Sequence, residues 1–172
     1  MTEDDGIYTS GGANSYLNLL VYVVEKFVGR DVAILIGKTY MIDIDRTSQS
    51  PFIIFQGQKE HEDELVKKAQ VFIESNFQEK ITVDQLADML PLSRRSLERR
   101  FRQATSNTII EYIQRVKIEA AKKDFESSRK NINEVMYEVG YTDTKGFRTV
   151  FKKVTGISPA EYRNKYNKLI AV

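Results

Sequence analysis

Ser93-Arg94-Arg95-Ser96-Leu97-Glu98-Arg99-Arg100-Phe101-Arg102 carries five arginines in ten residues around two apolar side chains. At about 100° per residue on a helix, Glu98, Arg99 and Arg102 fall within roughly 60° of Arg95, while Leu97, Phe101 and Ala104 cluster opposite. One side suits a core and the other is basic. A charged helix face is commonly just a solvated one, held here by Arg95/Glu98 and Glu98/Arg102 pairs, so a second observation has to decide its meaning.

The chain supplies that observation by repeating itself. A shift of 50 residues pairs Leu97 with Phe147, Phe101 with Phe151, Arg102 with Lys152, Thr105 with Thr155, Ser106 with Gly156 and Glu111-Tyr112 with Glu161-Tyr162. A shift of 49 extends the match upstream, pairing Val83 with Ile132, Leu86 with Val135, Leu90 with Val139 and Leu92 with Tyr141. The one-residue change falls in a turn, where an insertion is absorbed. Each copy is a short helix, a tight turn and a second helix, which is helix-turn-helix geometry. In the first turn Pro91 stops the helix, Leu92 anchors the turn and Ser93 caps the second helix; in the second turn, Gly140, Tyr141 and either Thr142 or Asp143 take those roles. Lys145, Arg148, Thr149 and Lys152 then occupy the outward positions of the second copy, with Phe147, Phe151 and Val154 inward. A basic face recurring in phase on the second helix of both motifs points to DNA, because that is the helix such motifs lay in the major groove.

Thr82-x-x-Gln85, Thr108-x-x-Glu111, Ser158-x-x-Glu161 and Asn131 three residues before Glu134 mark four helix starts by the capping-box pattern. With the apolar spacing of Leu65, Ala69, Phe72 and Ile73, the pattern predicts seven helices, over about 62–76, 83–89, 94–104, 109–126, 132–139, 144–154 and 159–168. The expected fold class is mainly α: a seven-helix double helix-turn-helix domain joined by a long central helix, with a small partial α/β segment at the N-terminus. The domains are expected at 1–57 and 58–172, the second made of subdomains at about 62–108 and 127–168 linked by helix 109–126. Eighteen residues give that helix a length of about 27 Å, enough to hold two reading helices roughly one B-DNA turn, 34 Å, apart. Ile109, Ile113, Val116 and Ala120 share a face that packs on both subdomains; Lys117, Lys122 and Lys123 read as solvated.

In the first 60 residues, Ile7 to Ser10 reads as a strand, Gly11-Gly12 as a turn, and Leu17, Leu20, Val21, Val24 and Val28 as one side of a helix ending at Gly29. A second helix is expected over Asp31 to Tyr40, turn residues and Pro51 between Asp43 and Phe55, and a linker in Gln56 to Asp63. One strand and two helices are too few to close an α/β core. Gly37-Lys38-Thr39 looks like the end of a phosphate-binding loop, but Val32 stands where that loop needs glycine.

Composition removes several function classes. The 172 residues are 41% hydrophobic and 29% charged, with no cysteine and one histidine, His61. Thiolate metal sites, cysteine nucleophiles and ordinary histidine metal sites are therefore excluded, and a hydrolase would lack a nucleophile with a base beside it. No apolar run approaches the roughly 18 to 20 residues of a membrane span, and the acidic start MTEDDG is unlike a signal peptide, so a cytoplasmic protein with no membrane partner, metal or cofactor is expected. The basic excess is C-terminal: residues 1–60 hold five Lys/Arg and eight Asp/Glu, residues 61–172 hold 21 and 16.

Residues 62–168 resemble the DNA-binding domain of AraC/XylS-type bacterial transcription regulators. Thr82-Val83-x-x-Leu86-Ala87, Leu92-Ser93-x-x-x-Leu97-x-Arg99-x-Phe101 and the run from Val139-Gly140-Tyr141 through Phe147, Phe151-Lys152, Gly156 and Ser158-Pro159-x-Glu161-Tyr162-Arg163 carry the resemblance. It implies base contacts from Arg95, Ser96, Glu98 and Arg99 in the first motif and from Thr144, Lys145, Arg148 and Thr149 in the second. Two positions depart from the pattern: Pro91, where the family often has glycine, and Gly146, which costs about 1 kcal/mol inside a helix and offers DNA no side chain, weakening the readout expected of the second motif. Thr9-Ser10-Gly11-Gly12-Ala13, Val24-Glu25 to Gly29-Arg30, Asp43 and Gln49-Ser50-Pro51-Phe52 are similar to the C-terminal part of a PfpI-like, glutamine-amidotransferase-like domain, most of which is missing. By chemistry Arg95 and Arg99 suit guanine, Glu98 suits cytosine N4, and Arg102, Lys145 and Lys152 suit phosphates. The expected partners are double-stranded DNA and RNA polymerase, and the exposed apolar face of Leu17, Leu20 and Val24 in the N-terminal segment is expected either to pair with a second copy of the chain or to pack on the missing part of its own domain.

Overall fold

Asp5 and Gly6, both at positive φ (47° and 80°), turn the chain between β1 (Thr2–Asp4) and β2 (Ile7–Thr9). The strands pair antiparallel in the register Thr2↔Thr9, Glu3↔Tyr8 and Asp4↔Ile7. Two successive positive φ values are what a two-residue hairpin turn demands, and Asp-Gly meets that demand at low steric cost. The expected single strand is thus a hairpin. It is followed by α1 (Ser15–Phe27) and α2 (Arg30–Tyr40), which pack on each other. Tyr8 lies against Tyr22 and Phe27 at 6.3 and 6.2 Å between ring centroids, and the Lys26 ammonium pairs with Glu3. The hairpin so engages the aromatic side of α1, whose buried positions are Ser15, Asn18 and Val21. The exposed apolar side expected of α1 is present at Leu17 and Leu20, 37% and 56% exposed, while Val24 is half-buried. Gly37-Lys38-Thr39 lies inside α2, so no phosphate-binding loop exists there.

The computed structural model describes residues 2–11, 15–42 and 55–167. The chain forms two compact units, Met1–Phe52 and Ile53–Val172. Gly12, Ala13 and the turn residues of 43–54, with Asp43 and Gln49 to Phe52, lie outside the described residues. Phe55, Gly57 and Gln58, expected near the end of the first domain or in the linker, belong to the second unit. The Phe55 ring packs edge-on against Tyr112 at 5.2 Å, its N–H donates to Glu119, and the Gln58 carbonyl accepts from Gln70.

Among the described residues, seven helices build the second unit: α3 (Glu64–Asn76), α4 (Val83–Asp88), α5 (Arg94–Thr105), α6 (Ile109–Ser127), α7 (Ile132–Glu138), α8 (Thr144–Thr155) and α9 (Pro159–Tyr166). Each lies within two residues of its expected bounds, except that residue 168, where the last was expected to end, is outside the described residues. Every one starts at a short polar side chain that accepts from an orphan amide of the first turn: Asp63, Thr82, Ser93, Thr108, Asn131, Asp143 and Ser158. The reciprocal bond of a capping box forms at Thr108/Glu111, Asn131/Glu134 and Ser158/Glu161; at Thr82 only the forward bond to Gln85 is present. Caps of this kind contribute about 1 kcal/mol each.

Two apolar cores result. Val66, Ile73, Leu86, Leu97, Phe101 and Tyr112 fill the first; Ile118, Phe125, Met136, Phe147, Phe151 and Tyr162 fill the second. The repeat is preserved in detail. Phe101 meets Tyr112 edge-on at 5.2 Å and Phe151 meets Tyr162 edge-on at 5.5 Å. Tyr112 donates to Glu74 of α3, and Tyr162 donates to Glu126 of α6. Burial, and then the neighbouring carboxylate, raises both phenols above their ordinary pKa. Helix α6 therefore closes the first core with its N-terminal half and opens the second with its C-terminal half.

Two of the lysines expected to be solvated are not. Lys117 is 7% and Lys122 4% exposed; only Lys123 is exposed, as expected. Lys122 pairs with Glu119 at 2.8 Å, and Lys117 lies between the two subdomains. Burial of this kind depends on how other elements fold over α6, which spacing along the helix cannot show.

Phe101 and Phe151 are fully buried in equivalent positions. Phe101→Ala and Phe151→Ala are each expected to destabilise the protein by about 3–5 kcal/mol, read as a lower urea midpoint. A change under about 1 kcal/mol for either would show that its core collapses around the gap.

Candidate nucleic-acid interface

Helix α5 is locked in place by two of its arginines. Arg94 Nη1 donates to both carboxylate oxygens of Asp84 in α4, at 3.0 and 2.9 Å, and its Nε reaches Glu98 at 3.3 Å. Arg100 forms a two-pronged pair with Asp63, Nε to Oδ2 and Nη2 to Oδ1, both at 2.8 Å. Asp63 also caps α3, so one carboxylate joins the start of α3 to the middle of α5. The turn between α4 and α5 keeps Leu90 and Leu92 half-buried against the first core, with Leu92 N–H donating to the Leu90 carbonyl. Helix α4 stops at Asp88, ahead of Pro91.

Once these ties are made, the outward face of α5 is free. Arg95, Arg99 and Arg102 are exposed and form no ion pair with any described residue, while Ser96, whose N–H bonds the Ser93 cap, is half-buried. Glu98 is exposed, and its partner is Arg94 rather than the Arg95 or Arg102 expected from spacing. Asp84 brings Arg94 to the side of α5 from which it reaches Glu98. Arg95, Arg99 and Arg102 outnumber the one carboxylate of Glu98, so that face is net positive. These side chains and Glu98 line a shallow hollow floored by Val83 and by Thr108, Ile109 and Ile110 at the start of α6.

The second motif reproduces the plan with different parts. Gly140 takes φ 74°, its N–H bonds the Tyr137 carbonyl, and Tyr141 N–H bonds the Met136 carbonyl. These two bonds are the left-handed helix stop that glycine favours. Asp143 then caps α8 twice, on the amides of Lys145 and Gly146. A Cβ at 146 would stand 2.7 Å from Asp143 Oδ2, so the glycine leaves room for that double cap. Lys145, Arg148 and Lys152 are exposed, with no ion pair to a described residue. Thr144 is half-buried, and the exposed Thr149 has its hydroxyl donating to the Lys145 carbonyl at 2.8 Å. The inward side holds as expected for Phe147 and Phe151; Ala104 and Val154 are half-buried.

Planar guanidinium forks on an exposed helix face suit bidentate hydrogen bonds to guanine or phosphate, and lysines suit phosphate as point charges. His61 is committed elsewhere: its Nδ1 accepts from Asp63 N–H, and its Nε2 faces Gln70 Oε1 at 3.0 Å. Among the described residues no group of three or more His, Asp or Glu is placed to hold a metal, and no helix is long and apolar enough to cross a membrane. The Arg94–Asp84 and Arg100–Asp63 ties were not anticipated from the sequence. Arg94/Glu98 was legible as an i, i+4 pair, but Asp63 and Asp84 lie 37 and 10 residues from their partners.

Residues 86–165 match a family model described as "Helix-turn-helix domain". The chain is 39% identical over 92 residues to the "Bifunctional transcriptional activator/DNA repair enzyme AdaA" of Bacillus subtilis, covering 54% of this chain and 44% of that protein. It is 35% identical over 102 residues to the "Xylose operon regulatory protein" of Escherichia coli, covering 59% of this chain and 26% of that one. The chain thus spans less than half the length of either. Among solved structures, the DNA-binding domain of AdpA, "the global transcriptional factor, in complex with a target DNA", superposes with a TM-score of 0.56 at 27% identity, covering 59% of this chain and 91% of that one.

The Asp63–Arg100 tie has a pH signature. Arg100 holds the Asp63 carboxyl below its ordinary pKa, with burial opposing. A lowered folded pKa stabilises the fold at pH above the unfolded value, about 4, and this stabilisation is lost as pH falls through the folded one. Asp63→Asn keeps a capping oxygen but not the charge. Thermal midpoints followed by circular dichroism should show the wild type above the variant at neutral pH, with the gap closing in acid; a gap independent of pH would contradict this role.

Proposed function

We propose that this chain is a transcription regulator whose AraC-type helix-turn-helix DNA-binding domain lays α5 and α8 in two adjacent major-groove segments of one duplex. The observation that carries the reading is the recurrence of exposed cations, without an ion pair to any described residue, in phase on the second helix of each motif: Arg95 and Lys145, Arg102 and Lys152, with Arg99 and Arg148 beside them. Unpaired surface cations are ordinary one at a time; it is their recurrence at equivalent positions of both motifs that favours a negatively charged partner. The family resemblance of residues 86–165 and the DNA complex of the AdpA domain support the same reading.

In this reading Arg95 and Arg99 make bidentate contacts to guanine, and Ser96 and Thr144 sit at the helix starts closest to the backbone. Arg148 and Thr149 contribute the base contacts of the second segment, and Arg102, Lys145 and Lys152 neutralise phosphates. Glu98, whose Oε1 accepts from Arg94, has its second carboxylate oxygen for cytosine N4. The activity is binding without covalent chemistry. RNA polymerase is the partner that a regulator of this kind serves, in the bacterial cytoplasm. The N-terminal unit is related to the C-terminal part of an amidotransferase-like domain, and its exposed Leu17 and Leu20, with the half-buried Val24, form the surface for a second copy.

The test is binding to duplexes selected from a random pool. Arg99→Ala is expected to lose about 1–3 kcal/mol on the selected site and to relax preference at one base pair, whereas Lys152→Ala should weaken specific and random DNA alike and lower the salt slope by about one. Wild-type binding that enriches no sequence from the pool would overturn the reading.

A further inference from the structure

The buried Lys117 is absorbed neither by the two cores nor by the basic faces. Its ammonium donates to the Gly140 carbonyl at 3.1 Å and to the Glu79 carbonyl at 3.4 Å, and it lies 5.4 Å from the centre of the Tyr141 ring. These groups belong to different subdomains. Glu79 follows α3 of the first, while Gly140 and Tyr141 form the helix stop and anchor of the second helix-turn-helix turn. The same junction is closely packed. A Cβ at Gly140 would stand 1.9 Å from the Gln78 carbonyl oxygen and 2.7 Å from Lys117 Nζ, and Phe77 reaches across to pack on the second core. Burial pushes the Lys117 ammonium below its ordinary pKa. A cation kept in such a place is held by its carbonyl and ring partners, since a buried charge without them is strongly disfavoured.

We propose that Lys117 is a positioning residue for DNA readout: bridging the Glu79 and Gly140 carbonyls over Tyr141, it fixes the phase of α8 relative to α5 and so the base-pair spacing of the site the protein accepts. The inference rests on the reading that both helices contact DNA. Each base pair added between two segments moves the second by about 3.4 Å along the duplex and about 35° around it. A rigid junction cannot follow that screw, and the contacts of one helix are lost. A slack junction can follow it.

Lys117→Met keeps the length of the stem and removes the charge. Tyr141→Leu leaves Lys117 in place and removes the ring beside it, and serves if Lys117→Met fails to fold. Binding is measured on the selected site, on sites with one base pair inserted or removed between the segments, and on sites with one segment scrambled. The wild type is expected to lose about tenfold or more on a one-base-pair insertion. In a folded variant that penalty should shrink to about threefold or less while the penalties for base changes inside each segment persist. As the chain lacks cysteine, spin labels at Gln103→Cys and Lys153→Cys report the junction directly, and their distance distribution should broaden in the variants. An undiminished spacing penalty in a folded variant would overturn the role of Lys117. Wild-type binding indifferent to scrambling of one segment would instead overturn the two-helix reading on which it rests.

Discussion

Helix α6 has to satisfy two cores at once, and the rest of the second unit is arranged around that demand. Ile109, Tyr112 and Ile113 serve the first core, and Ile118, Ala121 and Phe125 serve the second. The rise of a helix is fixed at about 1.5 Å per residue and its side chains point at fixed angles, so the offset between these two sets determines how the cores face each other. Neither core has a complete wall without this helix. The capping box at Thr108, which fixes where α6 begins, therefore also fixes the register of everything downstream.

The duplication is an overlapping one. Tyr112 at the start of α6 corresponds to Tyr162 in α9, and each presents an aromatic edge to a phenylalanine of the helix proposed to read DNA and a hydroxyl to a glutamate of the helix that opens its subdomain. Thr105 and Thr155 likewise each turn their hydroxyl back to a carbonyl four residues earlier, Phe101 and Phe151. The two helices are thus fastened by the same buried contacts, while the polar ties outside the cores differ. Arg94 and Arg100 brace α5 with ion pairs; α8 relies on the double cap of Asp143 and the space left by Gly146.

Most of this was legible because it is written locally. Caps lie three residues from the amides they serve, and Leu97, Phe101 and the arginines lie on opposite sides of a single helix, so spacing alone resolves them. The Asp5-Gly6 turn was equally local and went unread, because the strand before it, Thr2–Asp4, is short and acidic. Spacing could not give the partners brought from far away: the carbonyls of Glu79 and Gly140 lie 38 and 23 residues from Lys117. A lysine looks the same in sequence whether its ammonium meets water or a buried carbonyl, since its stem suits both.

The division of labour across α5 has a consequence for how such a protein can change. Leu97 and Phe101 hold the helix, while Arg95, Arg99 and Arg102 on its other side bear no part of the core and no ion pair with a described residue. Substitutions at those three positions leave the scaffold intact. On the proposed reading of DNA by this face, a lineage can drift from one target site to another through single surface changes, without passing through an unfolded ancestor, whereas, with Lys117 in its proposed role, an altered spacing between half-sites requires rebuilding the junction beneath.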